Sequence, residues 1–137
     1  MTWLAQRAEH RQAQGLHRTL RPRHADSQSI DIASNDYLSL ATDPDVVEAG
    51  VTALRTWGAG ATGSRLVSGH TALHAELESA LSILLRAERT LTFSSGYLAN
   101  LAAITALTDE DTLLLSDAYN HASIIDACRL SRAKTTV

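Results

Sequence analysis

From Thr90 to Val137 the chain alternates between two kinds of patterning. Short β-like runs at Thr90–Phe93 and Thr112–Ser116 are each followed by helical spacing, at Tyr97–Leu107 and Ala122–Arg132, and a further β-like start follows in KTTV. Strands separated by helices run parallel, because the helix carries the chain back to the starting edge. A parallel sheet buries both of its faces and needs helices on each. The expected class is therefore α/β, a mainly parallel sheet with helices on both faces. Because the last run only begins a strand, the expectation is also that Val137 cuts through a domain.

Upstream of this alternation the organisation is different. Trp3, Leu4 and Ala8 fall at helical spacing in a helix predicted from Thr2 to about Gln14, ending near Gly15. A polar connector, Arg21 to Ser29, leads into SIDIAS, whose alternation predicts a short strand. Asp43 and Pro44 form a cap and first-turn pair before a helix over Asp43 to Trp57. Four of the seven glycines, Gly58, Gly60, Gly63 and Gly69, then crowd into one loop, a density suited to unusual backbone angles. Leu73, Leu77, Leu81, Leu84 and Leu85 repeat at three and four, predicting a helix from Thr71 to about Glu88. Residues 1–40 read as a helical arm with its connector and residues 41–137 as the first part of a larger α/β domain.

Composition narrows the partners. With 45% hydrophobic and 20% charged residues the chain can bury a core. A net charge of −3 with interspersed signs gives no footprint for nucleic acid or an anionic membrane. No apolar run approaches the roughly 20 residues of a membrane span. A single cysteine and an N-terminus without the apolar core of a secretion signal point to a soluble, cytoplasmic protein. Cys-x-x-Cys and His-Glu-x-x-His pairs do not occur, so no metal is expected.

The chemistry-bearing candidates lie where β-like runs turn into helices, the edge at which open α/β sheets bind ligands. In TFSSGYLAN, Ser94, Ser95 and Gly96 stand before a helix whose free N–H groups and dipole favour a phosphate. The same residues also suit a plain helix cap and a turn. The second junction, SDAYNHAS, puts His121 at the same edge. There an imidazole can stack on a ligand ring, donate a hydrogen bond or exchange a proton. Equally, Asn120 or Ser123 can cap the helix while His121 faces solvent. Arg18, in GLHRTLRPR, can clamp a carboxylate or be one of several solvated basic residues. The glycine loop GAGATGSRLVSG meets neither the dinucleotide nor the P-loop motif.

Taken in order and spacing, SNDYLSL, WGAGATGSRLVSGHTALHAELE, FSSGYLAN and SDAYNHASIIDACRLSRA resemble the α-oxoamine synthases, pyridoxal-phosphate enzymes of the aspartate-aminotransferase fold. The resemblance implies a homodimer that condenses L-alanine with a pimeloyl thioester, on coenzyme A or an acyl carrier protein, releasing carbon dioxide and the thiol. Pyridoxal 5'-phosphate would be the electron sink. Gly96 and Tyr97 match cofactor-binding positions, His121 the histidine stacked on the pyridine ring and near the substrate, and Arg18 a substrate-binding arginine. Residues 41–137 would then open the large cofactor-binding domain. The family's Schiff-base lysine and the aspartate that pairs with the pyridine nitrogen fall beyond Val137. The single lysine, Lys134, matches no motif, so no catalytic residue is expected in these 137 residues and the covalent step is not theirs to perform alone. Other functions compatible with these residues are a sister activity using glycine or serine, a non-catalytic partner subunit of the same fold, and a simple phosphate-binding module.

Overall fold

A computed structural model describes residues 2–27 and 29–137; Gln28 of the connector lies outside the described residues, as does Met1. The chain divides into two units, Met1–Val51 and Thr52–Val137. In order, the elements are α1 (Trp3–Ala13), a 3-10 turn (Leu40–Thr42), α2 (Pro44–Trp57), α3 (Ala72–Leu85), α4 (Gly96–Leu107), β1 (Leu113–Leu115), α5 (Ala122–Leu130) and β2 (Lys134–Thr136).

The helix boundaries follow local chemistry. Thr2 caps α1 by accepting the Ala5 N–H, and Gly15, at φ 68°, takes the left-handed conformation that stops it. Asp43 caps α2 through its Oδ1, which accepts the N–H groups of Asp45 and Val46 ahead of Pro44. The predicted helix to about Glu88 stops three residues early at Leu85. Arg86 turns left-handed there, and the Ala87 N–H reaches back to the Ser82 carbonyl, closing the helix end as glycine more often does.

β1 and β2 pair in parallel, Leu113 with Lys134 and Leu115 with Thr136, with α5 as the crossover between them. Ladder bonds continue one residue past β1 at each end. The Lys134 N–H donates to the Thr112 carbonyl, and the Ser116 N–H donates to the Thr136 carbonyl. The parallel α/β order read from the sequence is present here as one strand-helix-strand unit with α4 packed on α5.

Two expected strands are absent. Thr90–Phe93 forms no strand, and the Thr92 N–H is taken by the Glu78 side chain, so that donor is not available to a neighbouring strand. SIDIAS forms no strand either. The Asp31 carboxylate accepts the Ala33 N–H two residues on and pairs with Arg23, a local turn that competes with extended pairing. Alternation of residue types is a local signal, whereas a strand exists only with a partner.

On α5, Ser123 and Ala127 are fully buried and Cys128 nearly so, with Cys128 a free thiol. Ser123 and Ala127 are four apart and share the face that meets α4 through Asn100. Around this seam Leu107, Leu113 and Leu115 are largely exposed. Ala127→Leu is expected to destabilise the second unit by about 1–3 kcal/mol, because extra methylenes have no space in the seam. Urea unfolding followed by circular dichroism measures this, and an unchanged midpoint contradicts it.

Candidate functional site

The second unit is organised by a guanidinium. Arg65, in the glycine loop, places Nη1 2.9 Å from Glu78 Oε1 on α3 and donates to the Thr92 carbonyl at 2.8 Å. Glu78 Oε1 also accepts the Thr92 N–H at 2.8 Å and its hydroxyl at 3.0 Å. The other edge of the guanidinium faces His70 Nδ1 at 2.8 Å. The loop itself folds back tightly: the N–H groups of Val67, Ser68 and Gly69 all point at the Ser64 carbonyl. A side chain on Gly69 would sit 2.0 Å from the Gly63 carbonyl oxygen, so only glycine fits there. Together these bonds tie the loop to α3 and to the segment that enters α4.

At the start of α4, Ser95 is the cap, accepting the Leu98 N–H at 3.2 Å. Gly96 and Tyr97 are its first helical residues, where N–H groups have no carbonyl within the helix to bond. Gly96 does not adopt a positive φ, and a Cβ there would meet nothing within 4 Å. Its backbone angles would suit any residue, and the space over it is open.

At the start of α5 the cap is neither Asn120 nor Ser123 but His121, whose Nδ1 accepts the Ser123 N–H at 3.2 Å. Asn120 instead donates to Ser116 Oγ at 3.1 Å, securing the turn that follows β1. His121 is an exposed residue whose Nδ1 lies against Ser123.

Two cross-helix bonds tie α4 to α5. The Tyr97 hydroxyl donates to Asp126 Oδ2, and Asn100 Nδ2 donates to Ser123 Oγ at 2.8 Å. The pairing of 97 with 126 and 100 with 123 rises along α4 as it falls along α5, so the first turn of each helix is tied to the second turn of the other. The Asp126 carboxylate, aided by burial, pushes the Tyr97 phenol above its ordinary range, so it stays a protonated donor. Arg18 is exposed and belongs to the first unit. Lys134 is an exposed residue opening β2. A separate hollow of about 410 Å³ at the carboxyl ends of β1 and β2 is lined by Ser116, Asp117, Ile125, Cys128 and Val137 among others, and not by Gly96, Tyr97 or His121. Among the described residues no cluster suits a metal ion, and no helix is long and apolar enough to cross a membrane.

Sequence reasoning missed Arg65, Glu78, Asn100, Ser123 and Asp126 as contributors. Asn100 carried a usable signal, an amide in the otherwise apolar run GYLANLAAITAL, which calls for a buried partner. Arg65 and Glu78 stood out less, since charged residues on a loop and a helix are ordinarily solvated.

Hydrogen bonds from Arg65 and the Thr92 N–H hold the Glu78 carboxyl at about 2, against an ordinary 4.5. A carboxyl depressed on folding adds stability that is complete above about pH 4.5 and is lost as pH falls toward 2. Glu78→Gln is therefore expected to lower the melting temperature at neutral pH and to narrow its deficit between pH 4.5 and 2. A deficit constant over that window in thermal melts contradicts the clamp.

The family model described as aminotransferase class I and II matches residues 27–137. Over all 137 residues the chain is 55% identical to 8-amino-7-oxononanoate synthases of Mycolicibacterium gilvum (strain PYR-GCK) and Mycobacterium leprae (strain Br4923). It spans 36% of the length of those curated relatives. Among solved structures, Sphingomonas wittichii serine palmitoyltransferase matches 72% of this chain and 25% of its own at 40% identity, with a TM-score of 0.70. The serine palmitoyltransferase of S. paucimobilis with PLP and myriocin bound gives 38% identity and a TM-score of 0.70 over 72% of this chain and 26% of its own. An 8-amino-7-oxononanoate synthase from Francisella tularensis gives 31% identity and a TM-score of 0.63 over 78% of this chain and 30% of its own.

Proposed function

Because the chain belongs to the aminotransferase class I and II family, we propose that it is part of a pyridoxal 5'-phosphate-dependent 8-amino-7-oxononanoate synthase. That enzyme joins L-alanine to a pimeloyl thioester with loss of carbon dioxide, a step of biotin synthesis. The observation that carries this reading is the 55% identity with such synthases over all 137 residues of the chain. We read residues 1–40 as the arm and connector and residues 41–137 as the opening of the cofactor-binding domain, in a cytoplasmic homodimer.

The residues present fit the cofactor. Its phosphate suits the first turn of α4, where the Gly96 and Tyr97 N–H groups lack helical partners and no side chain stands over Gly96. Its ring suits the exposed face of His121, whose plane is set by the bonds at Nδ1. Pyridoxal phosphate, when bound, supplies an electron sink at the carbon that loses carbon dioxide. Tyr97, tied to Asp126, braces the helix start that holds the phosphate. His121 also presents a donor toward the substrate, and Arg18 supplies a guanidinium for a substrate carboxylate. Lys134 takes no part.

The intact protein, saturated with pyridoxal phosphate, is expected to convert L-alanine and a pimeloyl thioester into 8-amino-7-oxononanoate, detected by mass spectrometry. Absence of that product rejects the reading, and product only with glycine or serine moves it to a sister activity. His121→Ala is expected to weaken pyridoxal phosphate binding about threefold to tenfold in an absorbance titration, the size of one ring-stacking contact. Inorganic phosphate binding as tightly as the cofactor would instead favour a plain phosphate site.

A further inference from the structure

Ser123 is fully buried, and its hydroxyl lies between two polar groups from different helices. Asn100 Nδ2 donates to Ser123 Oγ at 2.8 Å, and Ser123 Oγ is 2.7 Å from His121 Nδ1. With the amide hydrogen pointing at the oxygen, the hydroxyl's own hydrogen is free for the imidazole. The Ser123 backbone N–H, 3.2 Å from the same Nδ1, can only donate. Two donors therefore converge on one ring nitrogen, and a nitrogen that accepts carries no proton in neutral imidazole. The proton is left on Nε2, which takes no part in these bonds.

We infer that Asn100 and Ser123 are positioning residues that hold His121 as the Nε2–H form, fixing both its ring plane and the nitrogen offered to a ligand. Neither residue reaches the ligand; each acts through His121, as outer hydrogen-bond partners orient metal-bound histidines. Asn100 sets the direction of the relay: a donor behind the hydroxyl makes Ser123 donate forward, and an acceptor behind it would make Ser123 accept from Nδ1–H. The relay also locks α4 to α5, tying the second turn of one helix to the start of the other. What the Nε2–H is used for rests on the cofactor reading above, but the tautomer itself does not.

The test is nitrogen-15 NMR on histidine-labelled intact protein without added cofactor, under conditions where imidazole is neutral, with the His121 signals assigned by their loss in His121→Asn. The wild-type spectrum is expected to show Nδ1 unprotonated and Nε2 protonated; the reverse overturns the inference without any variant having to fold. Ser123→Ala, which leaves only the backbone donor, is expected to move both nitrogens toward the average of the two tautomers. Asn100→Asp, which replaces the donor by an acceptor, is expected to shift the population further toward Nδ1–H. A spectrum unchanged in both folded variants overturns the relay. Pyridoxal phosphate is then titrated into wild type and Ser123→Ala, with an expected weakening of about threefold to tenfold, the effect of one neutral hydrogen bond. Equal affinities beside mixed tautomers overturn the positioning role. A wild type with the expected tautomer but no cofactor binding upholds the relay and rejects the cofactor reading, so the two failures are distinguishable.

Discussion

The Arg65 guanidinium answers three partners from separate stretches of chain: the Glu78 carboxylate on α3, the Thr92 carbonyl before α4, and His70 within its own loop. A planar fork with five donors is the one side chain suited to this, because each contact needs a fixed direction as well as a charge. A loop dense in glycine has many backbone states to lose, and local bonds alone would hold it poorly. Glu78 completes the arrangement by bonding to the N–H of the residue whose carbonyl Arg65 holds. Thr92 is thus gripped on both of its backbone groups, and the chain enters Ser94–Gly96 from a fixed point.

From that point the site is built by two helices rather than by a sheet edge alone. α4 is apolar nearly all round and has little of its own to orient it, so its rotation on α5 is set by two polar anchors, Tyr97 to Asp126 and Asn100 to Ser123. Each anchor has one end in a first turn, Tyr97 on α4 and Ser123 on α5, where the unpaired amides are. One fully buried point of the seam is a serine, and its cost of burial is met because its hydroxyl is bonded on both sides.

Much of this was legible in the sequence and some was not, for a consistent reason. The five helices followed from apolar spacing and, for α2, from the Asp43 cap, signals that act over three or four residues. β1 and β2 were found because their apolar or β-branched runs coincide with real partners. Thr90–Phe93 had the same composition, yet its backbone is bound by a side chain from α3, fourteen residues earlier. His121 was legible as a polar residue at a helix start, but its role as the cap depended on geometry at Ser123. The Asn100–Ser123 contact joins residues 23 apart and leaves no periodic trace.

The two helix starts also differ in when their supports exist. Chains emerge from the ribosome in order, and local structure can form as soon as its partners are out. The entry to α4 depends on Arg65 and Glu78, both upstream of it, so that junction can be set while the rest is still being made. The turn before His121 follows Ser116, whose N–H is held by the Thr136 carbonyl, twenty residues downstream. Its half of the site is the later one to be fixed in synthesis, and until Thr136 arrives the histidine has a helix to cap but no strand to stand on.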